Sequence, residues 1–185
     1  MGTRELTFSV QWRTAVVQEN GEAYYFPEKC THYFHNTYSL PIIYRWRVLF
    51  GQPRQKEIIY IGEAEELPRR IQRVRTPSTK ATDSNTNKRL HQIFQQHLSG
   101  NRKIVIDVAD IEPFEINGIR FDSQGLGDRF KRRALESLLI AMAQQSGQFD
   151  LLNMMVDPLD KAQRMLAKLK PHELREITRR YRLDG

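Results

Sequence analysis

Lys56–Ile71 reads KEIIYIGEAEELPRRI, and the whole fold can be approached from it. Ile58, Ile59, Tyr60 and Ile61 form a β-rich run that stops at Gly62. A charged segment follows, in which Pro68 fits only the first turn of a helix because it lacks the amide that later turns need. Arg69 and Arg70 come directly behind it. The stretch therefore reads as strand, turn and helix start, with two guanidinium groups held close to a glycine. Upstream, Ile42–Phe50, IIYRWRVLF, alternates: Tyr44, Trp46, Val48 and Phe50 fall on one side, Arg45 and Arg47 on the other. GQPRQ between the two runs is a turn, so they predict an antiparallel hairpin.

Further along, Lys103–Ile111, KIVIDVADI, is apolar enough for a central third strand. Asn117-Gly118 within FEINGIRF marks a tight hairpin. Lys88–Leu98 carries Leu90, Ile93, Phe94 and His97 or Leu98 at helical spacing, after a polar Ser/Thr-rich loop over 76–87. After the glycine-containing loop DSQGLGD, a strong helix starts at Arg129. Leu135, Leu138, Leu139 and Met142 make its apolar stripe, with Lys131, Arg132 and Glu136 on the polar side. Asp157 and Pro158 fit an N-cap and first helical position, with Leu159, Ala162, Leu166 and Leu169 on one face. A last helix is expected near Pro171. At the other end, residues 6–18 suggest one or two short strands, Asn20-Gly21 a turn, and the aromatic cluster of 24–38 an arm over the core. The sum is one α+β domain: a small central antiparallel or mixed three-stranded sheet flanked by helices. Residues 1–40 form an N-terminal arm, 41–155 the core, and 156–185 a C-terminal helical decoration.

The charge is uneven. Lys and Arg number 29 against 22 Asp and Glu, a net +7, and Arg69–Lys103 holds nine basic residues with a single acid, Asp83. Clustering of this kind points to nucleic acid more than the total does, although a basic face kept for solubility gives the same count. Arg69, Arg73, Arg75, Lys80, Lys88 and Arg89 are the candidate DNA contacts. Cys30 is the only cysteine, which rules out an intrachain disulfide and a cysteine-rich zinc site. No apolar run reaches bilayer length, and Arg4, Glu5, Trp12 and Arg13 interrupt any signal-peptide pattern, so a cytoplasmic protein is expected. Gly125 and Gly127 lack the context of a phosphate-binding loop, and no nucleotide cofactor is expected.

Phosphodiester cleavage needs an activated water, relief of charge on the phosphoryl oxygens and support for the leaving alkoxide. Arginine suits the second task, and a carboxylate can hold a divalent cation for the second and third. A tyrosine, with its ordinary pKa near 10, needs a cationic neighbour to act as base. With these requirements in view, the chain resembles the GIY-YIG nuclease family. Ile42-Ile43-Tyr44 stands for the first signature with its glycine replaced, and Tyr60-Ile61-Gly62 keeps the second. Arg70 matches the family's helical arginine, Glu136 its metal-binding glutamate, and Asn153 the asparagine that supports the site. Val74 stands where many members carry histidine or tyrosine; His91 is the candidate substitute.

The resemblance implies a DNA endonuclease using Mg²⁺ or Mn²⁺ at Glu136 and leaving 5′-phosphate and 3′-hydroxyl ends. Tyr44 is the preferred general base and Tyr60 orients water or hydrogen-bonds to the phosphate, with the reverse assignment of the two tyrosines left open, and Arg70 stabilises the transition state. It further implies a type II restriction enzyme, acting on double-stranded DNA as a homodimer in a bacterial or archaeal host. A structure-selective repair or recombination nuclease and a catalytically inactive DNA-binding module are the alternatives.

Overall fold

In chain order the strands are β1 (Val10–Thr14), β2 (Ile42–Leu49), β3 (Glu57–Ala64), β4 (Lys103–Ile111), β5 (Phe114–Ile116), β6 (Ile119–Phe121) and β7 (Phe149–Leu151). The helices are α1 (His32–Thr37), α2 (Leu67–Arg75), α3 (Asn85–Ser99), α4 (Arg129–Ser146) and α5 (Pro158–Leu166). The computed structural model describes residues 10–52, 56–78, 85–116, 118–154 and 157–168. Asn117, Lys80, Leu169 and the helix expected near Pro171 lie outside them.

The architecture is α+β, with the sheet larger than the three strands expected. Its order is β1-β4-β2-β3-β7. The β2–β3 hairpin and the β2–β4 and β1–β4 pairs are antiparallel, and β7 joins β3 in parallel, which makes the sheet mixed. The two added strands explain the miscount. β7 is only three residues long, too short for a period to show, and β1, within the 6–18 stretch expected to form short strands, belongs to the central sheet rather than to a separate N-terminal arm.

Alternation along the strands separates two cores. Tyr44, Trp46, Val48, Tyr60, Ile104, Ile106 and Val108 pack toward the residues of α1, α2 and α3, including Phe34, Ile71, Val74, Leu90 and Phe94. Tyr24 and Phe26 join this side, so the aromatic arm does cover the core, and it contains the short helix α1 that no periodicity marked. On the opposite face Ile43, Ile59, Ile61 and Ile111 meet Ala134, Leu135, Leu138 and Leu139 of α4 and Ala162 of α5. Arg45 and Arg47 share that second face. Both donate to the buried Asp107 of β4, at 2.7 and 2.6 Å, and Thr14 adds a hydrogen bond at 3.0 Å. Burial pushes this carboxyl up, but the Arg47 and Arg45 guanidiniums hold it below the ordinary aspartate range.

Local chemistry places the helices. Pro68 occupies the first turn of α2 as expected. Asp128 caps α4, its carboxylate accepting from the amides of Phe130 and Lys131, and Gly147 closes the helix at φ 65°. Asp157 caps α5 by accepting from the Asp160 amide. The β5–β6 hairpin forms with Ile116 opposite Ile119 and Gly118 at φ 78°. Two amphipathic assignments need correction. Lys131 and Arg132 are buried and Met142 is exposed on α4, while Leu159 is exposed on α5. Both arginine and lysine find tertiary surroundings that a helical wheel does not contain. Among the described residues no helix is long and apolar enough to cross a membrane.

Candidate active site

The β2–β3 register puts Tyr44 directly across from Gly62. The Tyr44 phenol folds over the glycine so closely that a Cβ there would lie 2.5 Å from its Oη. Gly62 is thus required for close approach of a ring, not for a turn. Beside it, α2 starts four residues after Gly62's strand neighbour Glu63 and delivers Arg70. The Arg70 Nε donates to Tyr44 Oη at 2.8 Å, and Nη1 donates to Asn87 Oδ1 on α3. Arg70 also acts on the Tyr60 hydroxyl.

Asn153 reaches the same strand from beyond β7. Its Oδ1 accepts from the Ile61 amide at 2.9 Å and its Nδ2 donates to the Ile61 carbonyl at 2.7 Å. The side chain thereby imitates the next rung of the parallel β3–β7 ladder. It fixes the peptide between Tyr60 and Gly62.

A cleft of about 430 Å³ opens over these groups, lined by Tyr60, Glu63, Arg70, Arg132 and Glu136 among others. An adjoining cleft of about 330 Å³ shares Tyr60 and Glu136 and adds Asn153 and Lys161. Four of the expected residues, Tyr60, Arg70, Glu136 and Asn153, therefore line two adjoining clefts that share Tyr60 and Glu136. Tyr44 lines neither cleft and is fully buried behind Arg70.

Burial decides the protonation of the phenols. It pushes the Tyr44 and Tyr60 hydroxyls above the ordinary tyrosine value, and the opposing pull of Arg70 is the smaller effect. Both are neutral phenols at physiological pH. The cationic neighbour that a tyrosine base requires is present, but it does not outweigh desolvation. The Arg70 guanidinium remains charged although desolvated, its Nε hydrogen bond to the Tyr44 oxygen favouring the ionised form.

Glu136 is 13% exposed, with the Lys161 ammonium 3.6 Å from Oε2. Burial raises its carboxyl above the ordinary range; Lys161 opposes this and Glu63 reinforces it. Arg132, one turn before Glu136 on α4, is engaged elsewhere. Its Nε donates to Glu63 Oε2 at 2.7 Å and its Nη1 to the Leu126 carbonyl, also at 2.7 Å. Arg132 thus pairs with Glu63 and not with Glu136, whose ion-pair partner is Lys161.

Among the described residues no group of three or more His, Cys, Asp or Glu side chains could cage a metal. A lone carboxylate beside hydroxyl and amide oxygens still suits Mg²⁺, which usually keeps several waters and takes one or two carboxylates plus substrate phosphate oxygens. The donor set fits a hard cation bound together with substrate. It does not fit a preformed all-protein site.

The other candidates divide. Arg69 and Arg73 line the main cleft. Arg89 lines the adjoining one and donates to the Leu152 carbonyl at 2.7 Å, steadying the segment that carries Asn153. Arg75 turns away to a different depression and donates to the Glu28 carbonyl. Lys88 is half-buried on α3 and lines neither cleft. His91 lines neither as well: its Nδ1 donates to the Val74 carbonyl at 2.9 Å and ties α3 to α2. Asn87, the Arg132–Glu63 pair and Lys161 are site residues that sequence reasoning missed. Asn87 had a signal, since it shares a helical face with Leu90 and Phe94 and so had to point inward. A comparison with protein-family models, curated proteins and solved structures found no match to this chain.

Proposed function

We propose that the protein is a divalent-cation-dependent DNA endonuclease. One observation carries this reading: Tyr60, Arg70 and Glu136, far apart in the chain, line a single arginine-rich cleft. Asn153 and Tyr44 brace them from behind. The sequence resemblance to GIY-YIG nucleases names the same residues independently of that geometry.

The scissile phosphate enters the cleft and meets Arg70. Two of the guanidinium's donors are already committed to Tyr44 and Asn87, which sets the plane of the fork and leaves further N–H groups for the phosphoryl oxygens. Held in this way, the charge is pre-organised for the transition state and needs no reorientation during reaction. Tyr60, lining both clefts as a neutral phenol, orients the attacking water by hydrogen bonding. Tyr44 positions Arg70. Relative to the sequence expectation, the two tyrosines exchange weight, because the fully buried Tyr44 cannot meet water. Glu136 would hold a divalent cation, which would supply Lewis-acid charge at the phosphoryl and leaving oxygens and make water more acidic. A bond forms between water oxygen and phosphorus and the bond to the 3′ oxygen breaks. The water gives up one proton, and the leaving oxygen gains one. The ends are 5′-phosphate and 3′-hydroxyl.

A sequence-specific restriction enzyme, cutting a palindrome as a pair of copies, is the form of this activity that the resemblance favours. The neutral, buried phenols favour one rival, a DNA-binding module without activity. Incubating the purified protein with plasmid, with and without EDTA, separates the two. Metal-dependent cleavage into reproducible fragments bearing 5′-phosphates is expected. Intact plasmid under all metals, or cleavage indifferent to EDTA, would reject the proposal.

A further inference from the structure

The main cleft has two walls, and only one was visible as basic in the sequence. α2 contributes Arg69 and Arg73; the first turns of α4 contribute Arg129 and Arg133. In all, six guanidiniums line the cleft against four carboxylates, Glu63, Glu65, Glu66 and Glu136. These cations are not equivalent. Arg132 is taken up by Glu63 and a carbonyl, while Arg70 is held in place by Tyr44 and Asn87 with its remaining N–H groups reserved for the scissile phosphate. Arg133 has only a loose contact, 3.6 Å from Glu63 Oε1, and its side chain is 37% exposed. Arg69, Arg73 and Arg129 are exposed and make no ion pair among the described residues. Cations kept unpaired on both sides of a cleft, above a paired interior set, form a surface for an external polyanion. The amides at the start of α4 do not share this task, because the Asp128 carboxylate already caps them. Contact on that wall has to come from side chains.

We infer that the cleft between α2 and the start of α4 is a two-sided phosphate clamp on one DNA strand, with Arg129 and Arg133 binding the backbone on the side of the scissile phosphate opposite Arg69 and Arg73. The inference rests on the nuclease reading above and gives it a substrate path. A volume of about 430 Å³ has the size of a small-ligand pocket and takes a short length of one sugar–phosphate strand. The major groove of a duplex alone is about 12 Å wide. Each protomer therefore engages, and cuts, one strand at a time.

The test is binding without turnover: fluorescence anisotropy of a short fluorescein-labelled DNA duplex in EDTA across a salt series. Each guanidinium–phosphate contact contributes roughly 0.9 to the slope of log affinity against log salt. The double variant Arg129→Ala/Arg133→Ala is expected to flatten the slope by about 2. As a control, Arg13→Ala/Arg164→Ala removes the same charge from groups that are paired with Asp110 and Asp160 outside the cleft. It should leave the slope unchanged. An unchanged slope in the α4 variant, or an equal flattening in the control, overturns the clamp while leaving the nuclease reading intact. No salt-dependent binding by the unaltered protein would remove both. Circular dichroism of each variant confirms that it is folded.

Discussion

Gly62→Ala is the substitution whose consequence the structure dictates most closely. The added Cβ would stand 2.5 Å from Tyr44 Oη, 2.6 Å from its Cζ and 2.9 Å from Tyr60 Cε1. Carbon contacts settle at about 3.5–4.0 Å, so the Tyr44 ring must retreat by about 1 Å. There is no free space behind it. The ring is fully buried, with Trp46 and Tyr60 each 6.4 Å away between centroids. Overpacking of this kind costs about 1–3 kcal/mol. Retreat also pulls Oη from the Arg70 Nε, a bond to a charged group worth about 1.5–3 kcal/mol. A stability loss of roughly 3–5 kcal/mol follows, read by urea denaturation. Cleavage should fall by about 10²-fold, the scale expected when a catalytic group moves by 1 Å. A double-mutant cycle isolates the cause. In a Tyr44→Ala background the two shortest contacts vanish and only the 2.9 Å approach to Tyr60 Cε1 remains, so the cost of Gly62→Ala should fall by about half or more. Equal losses in the two backgrounds, or a Gly62→Ala protein as stable as its parent, would refute the reasoning.

Other outcomes follow from the same contacts. Asp107→Asn should cost about 3–5 kcal/mol at neutral pH, since it strands Arg45 and Arg47 beside a site 1% exposed. Because the folded-state pKa of Asp107 is depressed, its stabilisation is present above the ordinary carboxylate value and lost as pH falls through the lower folded value. Acid unfolding curves of the variant should accordingly be flatter than those of the parent. Glu136 has the opposite sign. Its carboxyl is raised by burial, so ionisation is penalised above the ordinary range. Glu136→Gln should gain about 1 kcal/mol at neutral pH, with the gain vanishing toward acid; a pH series of thermal melts that shows destabilisation at neutral pH would contradict this. Asn153→Ala removes both bonds to Ile61. It should cost about 1–3 kcal/mol and speed hydrogen exchange at the Ile61 amide.

How much of this was legible depended on whether a signal was local. The alternation of β2, the apolar run of β3, the caps Asp128 and Asp157, and Pro68 in the first turn of α2 are properties of a few neighbouring residues, and the chain displays them directly. The convergence of Tyr60, Arg70, Glu136 and Asn153 was available only because a motif pattern linked distant positions. The Arg132–Glu63 pair spans 69 residues, and nothing at either end announces the other. The tyrosine pKa values were illegible for a related reason. The presence of Arg70 could be read, but desolvation depends on how much protein covers the phenols. His91 shows the converse: a histidine at a suggestive place in the sequence proves to be a clasp between α2 and α3.

The most direct measurement is the single-turnover rate of DNA cleavage in Mg²⁺ by the unaltered protein and by Glu136→Gln, both at saturating concentration. With one carboxylate holding the cation, the unaltered protein should convert supercoiled plasmid to nicked and then linear DNA, and the folded variant should fall by 10² to 10³-fold or more, roughly the cost of losing a central electrostatic group. Equal rates for the two proteins, or no cleavage by either under any divalent cation, would contradict the account.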